Sequence, residues 1–95
     1  MTSTKEIVAA LTSDLCVRKT LDDGTGVVVD LESSRVLALN TTGMFLVDQL
    51  LEGTESVDDL IEALCASFLV DRATAERDVP ELLEELRRHL LPPRN

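Results

Sequence analysis

Val36-Leu37-Ala38-Leu39-Asn40-Thr41-Thr42-Gly43 is the stretch that decides the fold, because a period-two pattern stops at the Asn and a helical pattern starts directly after it. Asn40 or Thr41 can cap that helix, since their side-chain oxygens accept hydrogen bonds from the first free backbone N–H groups. Met44, Phe45, Leu46, Val47, Leu50 and Leu51 then give it a broad apolar surface, and Gly53 stops it. Everything upstream reads as strand and everything downstream as helix. The expected fold is α+β, a three-stranded antiparallel sheet followed by three helices, in a winged helix-turn-helix-like arrangement.

Working upstream, Arg35 to Leu39 pairs back on Val27-Val28-Val29-Asp30-Leu31, a β-branched run, across a short loop at Glu32-Ser33-Ser34. Asp22-Asp23-Gly24 is a turn cluster, because Gly tolerates positive φ and Asp bonds the local backbone. Before it, Leu15 to Thr20 alternates as a first strand, with Leu15 and Val17 on one face. Residues 1–14 lack a strong period and read as a flexible N-terminal arm, although Glu6 to Leu11 could form a turn or two of helix.

Working downstream, Ser56 opens a second helix: Ser-Val-Asp-Asp resembles a capping box, with acids at the positive dipole end. Val57, Leu60, Ile61, Leu64 and Phe68 follow at helical spacing. In the third helix Val79, Leu82, Leu83, Leu86 and Leu90 line one side, opposite Glu81, Glu84, Glu85, Arg87 and Arg88. Pro80 should interrupt it, since an interior proline loses a donor and clashes with the carbonyl four residues back. The expectation is a short turn over Ala73 to Val79, then a kink or fresh start. Pro92-Pro93 should end the fold, leaving 92–95 as a tail.

A 95-residue chain is one domain with a modest core. Aromatics are only 2% of it and Trp and Tyr are absent, so the core must be aliphatic and stacking on bases is nearly excluded. The formal charge of −9 repels phosphate backbones and anionic membranes. From Met44 to Asp71 there are seven carboxylates and no Lys or Arg, which argues against a DNA-reading helix pair. No apolar run approaches membrane-spanning length and no signal peptide is visible, so a cytoplasmic protein is expected.

Catalytic and metal chemistry find little footing. Cys16 and Cys65 stand apart without C-x-x-C spacing and read as small apolar residues, with reduced thiols. His89 is the only histidine and lacks ligand-spaced partners, so no metal site is expected. Adjacent acids such as Asp58-Asp59 and Glu84-Glu85 point about 100° apart on a helix and do not converge on a substrate. Gly24 and Gly26 lack the rest of a phosphate loop. No nucleophile, base and orienting group assemble, so no enzyme activity, catalytic residue or cofactor is expected.

Taken in order, Val28-Val29-Asp30-Leu31, the hairpin, Val36 to Gly43, Leu50-Leu51-Glu52-Gly53, Val57 to Leu64, and Asp78-Val79 with Leu82-Leu83 and Leu86 resemble the PqqD family of RiPP recognition elements. Those small proteins bind leader peptides of ribosomally synthesised, modified peptides. The resemblance covers residues 15–91, taken as the peptide-binding domain, and Pro80 departs from the family pattern. It implies that a leader peptide adds a strand beside the third strand and packs against the third helix. Carried over by position, Arg35, Val36, Leu37, Ala38 and Leu39 form the edge, and Asp78, Glu81, Leu82, Glu85, Leu86 and His89 lie on the opposing wall, with Leu82 and Leu86 as its apolar part. The implied partners are a precursor leader peptide and a separate modifying enzyme, such as a protease, cyclase or radical enzyme. The competing reading is a winged-helix regulator or a generic interaction domain.

Overall fold

The computed structural model describes residues 4–91. The elements run α1 (Thr4–Leu11), β1 (Cys16–Thr20), β2 (Gly26–Asp30), β3 (Arg35–Leu39), α2 (Thr41–Leu51), α3 (Val57–Ser67) and α4 (Arg72–Leu90). The strands form one antiparallel sheet in the order β1-β2-β3, and three helices follow as the periodicity predicts. The tail at 92–95, with Pro92-Pro93, lies outside the described residues, as do 1–3.

Local chemistry explains the corners. Asp23 Oδ1 accepts from Thr25 N (3.0 Å) beside Gly24 at φ +89°, which closes the first hairpin. At the second, Asp30 accepts from Glu32 N (3.1 Å) and from the Ser33 hydroxyl (2.8 Å), while Ser34 takes a positive φ of 60°. Asn40 is the cap of α2: its Oδ1 accepts from Gly43 N at 2.8 Å and from the Thr42 hydroxyl at 3.0 Å. Ser56 caps α3 and Asp71 caps α4, the latter accepting from Thr74 N at 2.7 Å.

Antiparallel partners share a face, so the register places Val28, Leu37 and Leu39 inward, with Val17, Val29 and Val36 in a row outward. Beneath the inner face lie Met44, Val47, Leu50, Leu60, Leu64, Val79 and Leu86, all nearly or fully buried. Gly26 belongs to this face. A Cβ there would sit 2.5 Å from the Lys19 carbonyl oxygen and 2.6 Å from Met44 Sδ, so glycine lets the β1 backbone and α2 both close on this point. Cys16 and Cys65 are free and half-buried.

Two expectations are corrected. Residues 4–11 are not a loose arm: α1 buries Ile7 and Leu11 in the common core and packs on α2, α4 and β1. Two apolar side chains one helical turn apart are too weak a local signal, and tertiary burial supplies the rest. Pro80 neither breaks nor restarts α4, which is helical throughout its 19 residues. The ring is on the exposed side, and the Glu76 carbonyl that it deprives of a donor belongs to an exposed residue and can turn to water. The Asp71 cap and the burial of Ala75, Val79, Leu82 and Leu86 outweigh one missing hydrogen bond.

A candidate peptide-binding groove along the third strand

A groove of about 380 Å³ opens between the end of β3, the first turn of α2 and one side of α4. Its floor and walls come from Ala38, Leu39, Asn40, Thr42, Gly43, Leu46, Asp78, Glu81, Leu82 and Glu85. Six of the eleven residues expected from sequence are among these: Ala38, Leu39, Asp78, Glu81, Leu82 and Glu85. Asp78, Glu81 and Glu85 recur at i, i+3 and i+7, which puts three carboxylates on one side of α4. Leu82 lies between them at the base, 9% exposed.

The other five expected residues are placed differently. Leu86 is fully buried, so it is a core residue and offers a peptide no surface; the apolar part of the wall is Leu82 with Leu46. Leu37 is half-buried on the inner face, packed against the core. Val36 sits on the opposite, outer face with 63% of its surface exposed. Arg35 is at the far end of the strand, where its guanidinium donates to the Arg88 carbonyl at 3.5 Å and ties β3 to the last turn of α4. His89 is not among the residues that line the groove, and its Nε2 is buried with no hydrogen-bond partner among the described residues. The Asp30 carboxyl is held below the usual range, chiefly by the Ser33 hydroxyl.

Sequence reasoning missed Asn40, Thr42, Gly43 and Leu46 as lining residues. The signal was present in the cap itself: a strand that ends directly in a helix N-terminus puts the first turn of that helix beside the strand's end. Gly43 also keeps the corner narrow, since a Cβ on it would lie 3.2 Å from Asn40 Oδ1 and 3.3 Å from a Leu39 methyl.

The hydrogen-bond phase of the sheet determines which backbone groups face the open edge. Leu31 N donates to Leu15 O and Leu21 N to Thr25 O, both at 2.7 Å. The odd-numbered residues of β1 and β2 therefore bond each other, which leaves Gly26, Val28 and Asp30 to bond Leu39, Leu37 and Arg35. Val36 and Ala38 consequently direct their N–H and C=O groups away from the sheet, and among the described residues nothing outside the sheet bonds them. An edge with free donors and acceptors beside a shaped groove is the geometry of domains that take up an extended peptide as an additional strand.

The family model for PqqD, described as coenzyme PQQ synthesis protein D, matches residues 25–91. The chain belongs to the PqqD family. It is similar to TbiB1 in a structure described as TbiB1 in complex with the TbiA(beta) leader peptide, with 29% identity, a TM-score of 0.68, and coverage of 87% of this chain and 96% of that one. A structure of a lasso peptide synthetase B1 complexed with the leader peptide matches at 29% identity and a TM-score of 0.69, covering 82% of this chain and 89% of that one. No curated protein sequence matches significantly. Among the described residues no helix is long and apolar enough to cross a membrane, and no group of His, Cys, Asp and Glu is arranged to hold a metal ion.

Proposed function

We propose that this protein binds the leader peptide of a ribosomally synthesised precursor and presents it to a separate modifying enzyme, a protease, cyclase or radical enzyme, in the biosynthesis of a modified peptide. The observation that carries the reading is the open edge of β3, where Val36 and Ala38 hold unpaired backbone groups and Ala38 borders the groove. Membership of the PqqD family and similarity to two proteins solved with leader peptides support it. The leader lies along β3, bonds Val36 and Ala38, and rests alternate side chains on Leu82 and Leu46.

Asp78, Glu81 and Glu85 give that groove a negative rim, so neutral or basic leader residues are accommodated beside α4 and acidic ones are disfavoured. The protein acts by binding, without a cofactor or catalytic group of its own, in the cytoplasm where precursor peptides are made. The DNA-binding alternative gains nothing from the structure: Glu52, Glu55, Asp58, Asp59, Glu62 and Asp71 are all exposed around α3.

The test is a calorimetric titration with a synthetic leader of the precursor encoded beside this protein's gene, accompanied by NMR amide mapping. Shifts should cluster on Arg35–Leu39 and Asp78–Glu85. Perturbations confined to residues 44–68, with β3 silent, would sink the groove even if the peptide bound.

A further inference from the structure

The outer face of the sheet departs from the usual rule that the solvated side of an antiparallel sheet is polar. Leu15 (49% exposed), Val17 (46%), Leu21 (46%), Leu31 (51%) and Val36 (63%) all lie on it by register and alternation. In a chain with eighteen carboxylates this face carries none across Leu15, Val17, Lys19, Leu21, Thr25, Val27, Val29, Leu31, Val36 and Ala38. Lys19 is its one charge. Val17, Val29 and Val36 stand side by side across the three strands, a β-branched row that ends at the open edge.

That edge is the same one the leader is proposed to occupy. Val36 and Ala38, which provide the free backbone groups, are also the two residues of β3 whose side chains point outward. With the leader antiparallel to β3, as both existing pairs of this sheet are, a residue hydrogen-bonded opposite either of them has its own side chain on the outer face, since directly opposed residues share a face. Only the leader residues between those pairs reach the groove. We infer that β3 reads its peptide on both sides of the sheet, and that the leader residue paired with Val36 is a β-branched aliphatic one, Val or Ile, which continues the row Val17–Val29–Val36 into a fourth strand. This rests on the leader-strand reading above and adds the outward position to it.

Cross-strand aliphatic pairs favour such a residue, and an acidic one there would be stranded beside uncovered methyl groups. Opposite Ala38 the demand is weaker, because Ala38 presents a single methyl and its row continues through Val27 to Lys19. The specificity-determining residue is therefore Val36.

The experiment uses the synthetic leader and its variants with the full chain. NMR contacts from leader side chains to the Val36 methyls identify the paired position, which is then made Val, Ala and Asp. On the unaltered protein Val should bind roughly two- to fivefold more tightly than Ala, and Asp more weakly still. Val36→Ser, at a site that is mostly exposed and so compatible with the fold, should abolish the difference between Val and Ala. The same replacements opposite Ala38 should change affinity by less than about twofold. Equal binding of the three peptides, or a preference that survives Val36→Ser, would overturn the inference while leaving the groove reading intact. A leader that leaves the amides of Arg35–Leu39 unshifted overturns both. Sedimentation showing a dimer whose formation broadens the Val17, Val29 and Val36 methyls would also overturn it, since a second copy would then cover the row.

Discussion

The two edges of this sheet are built in opposite ways, and the difference explains why one of them is available to a peptide. On β1 the residues whose backbone faces outward are Cys16, Arg18 and Thr20, the complement of those bonded to β2. Their side chains turn inward. Cys16 N already donates to the Ser13 carbonyl (3.1 Å), and the Arg18 guanidinium is paired with Asp48 of α2. Charge and local bonding blunt that edge, as edge strands commonly require. On β3 the outward-facing backbone belongs to Val36 and Ala38, small or aliphatic and uncharged, and the groove opens at the Ala38–Leu39 end. On β1 the Cys16 donor is taken and an ion-paired Arg18 stands beside the remaining free groups, whereas the free groups of β3 are flanked by uncharged side chains with a groove at their end.

The largest break in this contrast comes from the core that supports both edges. Leu86→Glu places a carboxylate where no surface is exposed, a cost that exceeds the margin of a domain this small. Circular dichroism should show no cooperative unfolding transition. Loss of leader binding in this variant reports on folding and not on recognition.

Proline distinguishes the edges directly. Ala38→Pro removes a donor that faces away from the sheet at the open edge and leaves the ladder to β2 intact, so leader affinity should fall at least about tenfold with an unchanged far-ultraviolet spectrum. Thr20→Pro makes the equivalent change on β1 and should move the dissociation constant by less than about twofold. If calorimetry gave the two variants the same loss, the assignment of the leader to β3 would be wrong.

Arg18→Ala opens the ion pair with Asp48, whose side chains are 36% and 47% exposed. Surface pairs of this kind contribute at most about 1 kcal/mol. A small drop in the urea midpoint with unaltered leader affinity is expected. Tighter leader binding would mean that the freed β1 edge had become a competing site.

The smallest effect is in acid. The Thr74 hydroxyl and N–H hold the Asp71 carboxyl below the usual carboxylate range, and Thr25 does the same for Asp23. A carboxyl with a depressed folded pKa contributes stability that is complete above its unfolded value, about 4, and is lost as pH falls through the lower folded value. Urea midpoints should therefore be level between pH 7 and 5 and decline below about 4. Asp71→Asn keeps a capping acceptor without the proton, and its midpoint should fall less steeply with acid.

Much of this was legible in the sequence because the responsible patterns are local. The alternation in β2 and β3, the stop at Asn40, and the helical spacing in α2 and α3 each place an element within a residue or two of its position. What was not legible depends on tertiary packing. Ile7 and Leu11 form a helix because α4 and the sheet are there to receive them. Pro80 is tolerated because the ring is on the solvent side, a fact of rotation that no local pattern supplies. Leu82 and Leu86 belong to one apolar stripe in sequence, yet one is at the base of the groove and the other is sealed beneath it. Periodicity identifies a helix face but not the line along it where the core ends.

The bare outer face and the open β3 edge together are the ingredients of strand-to-strand self-association, the hazard that leads toward fibrils when identical edges meet. Two copies approaching through them must first bring two charges of −9 together. The excess of carboxylates thus acts as colloidal protection for a sheet with one uncovered edge, and its range is set by ionic strength: about 10 Å at 0.1 M salt and 3 Å at 1 M. Concentrated salt should cloud solutions of the empty protein first, and a bound leader, by occupying the edge, should keep them clear.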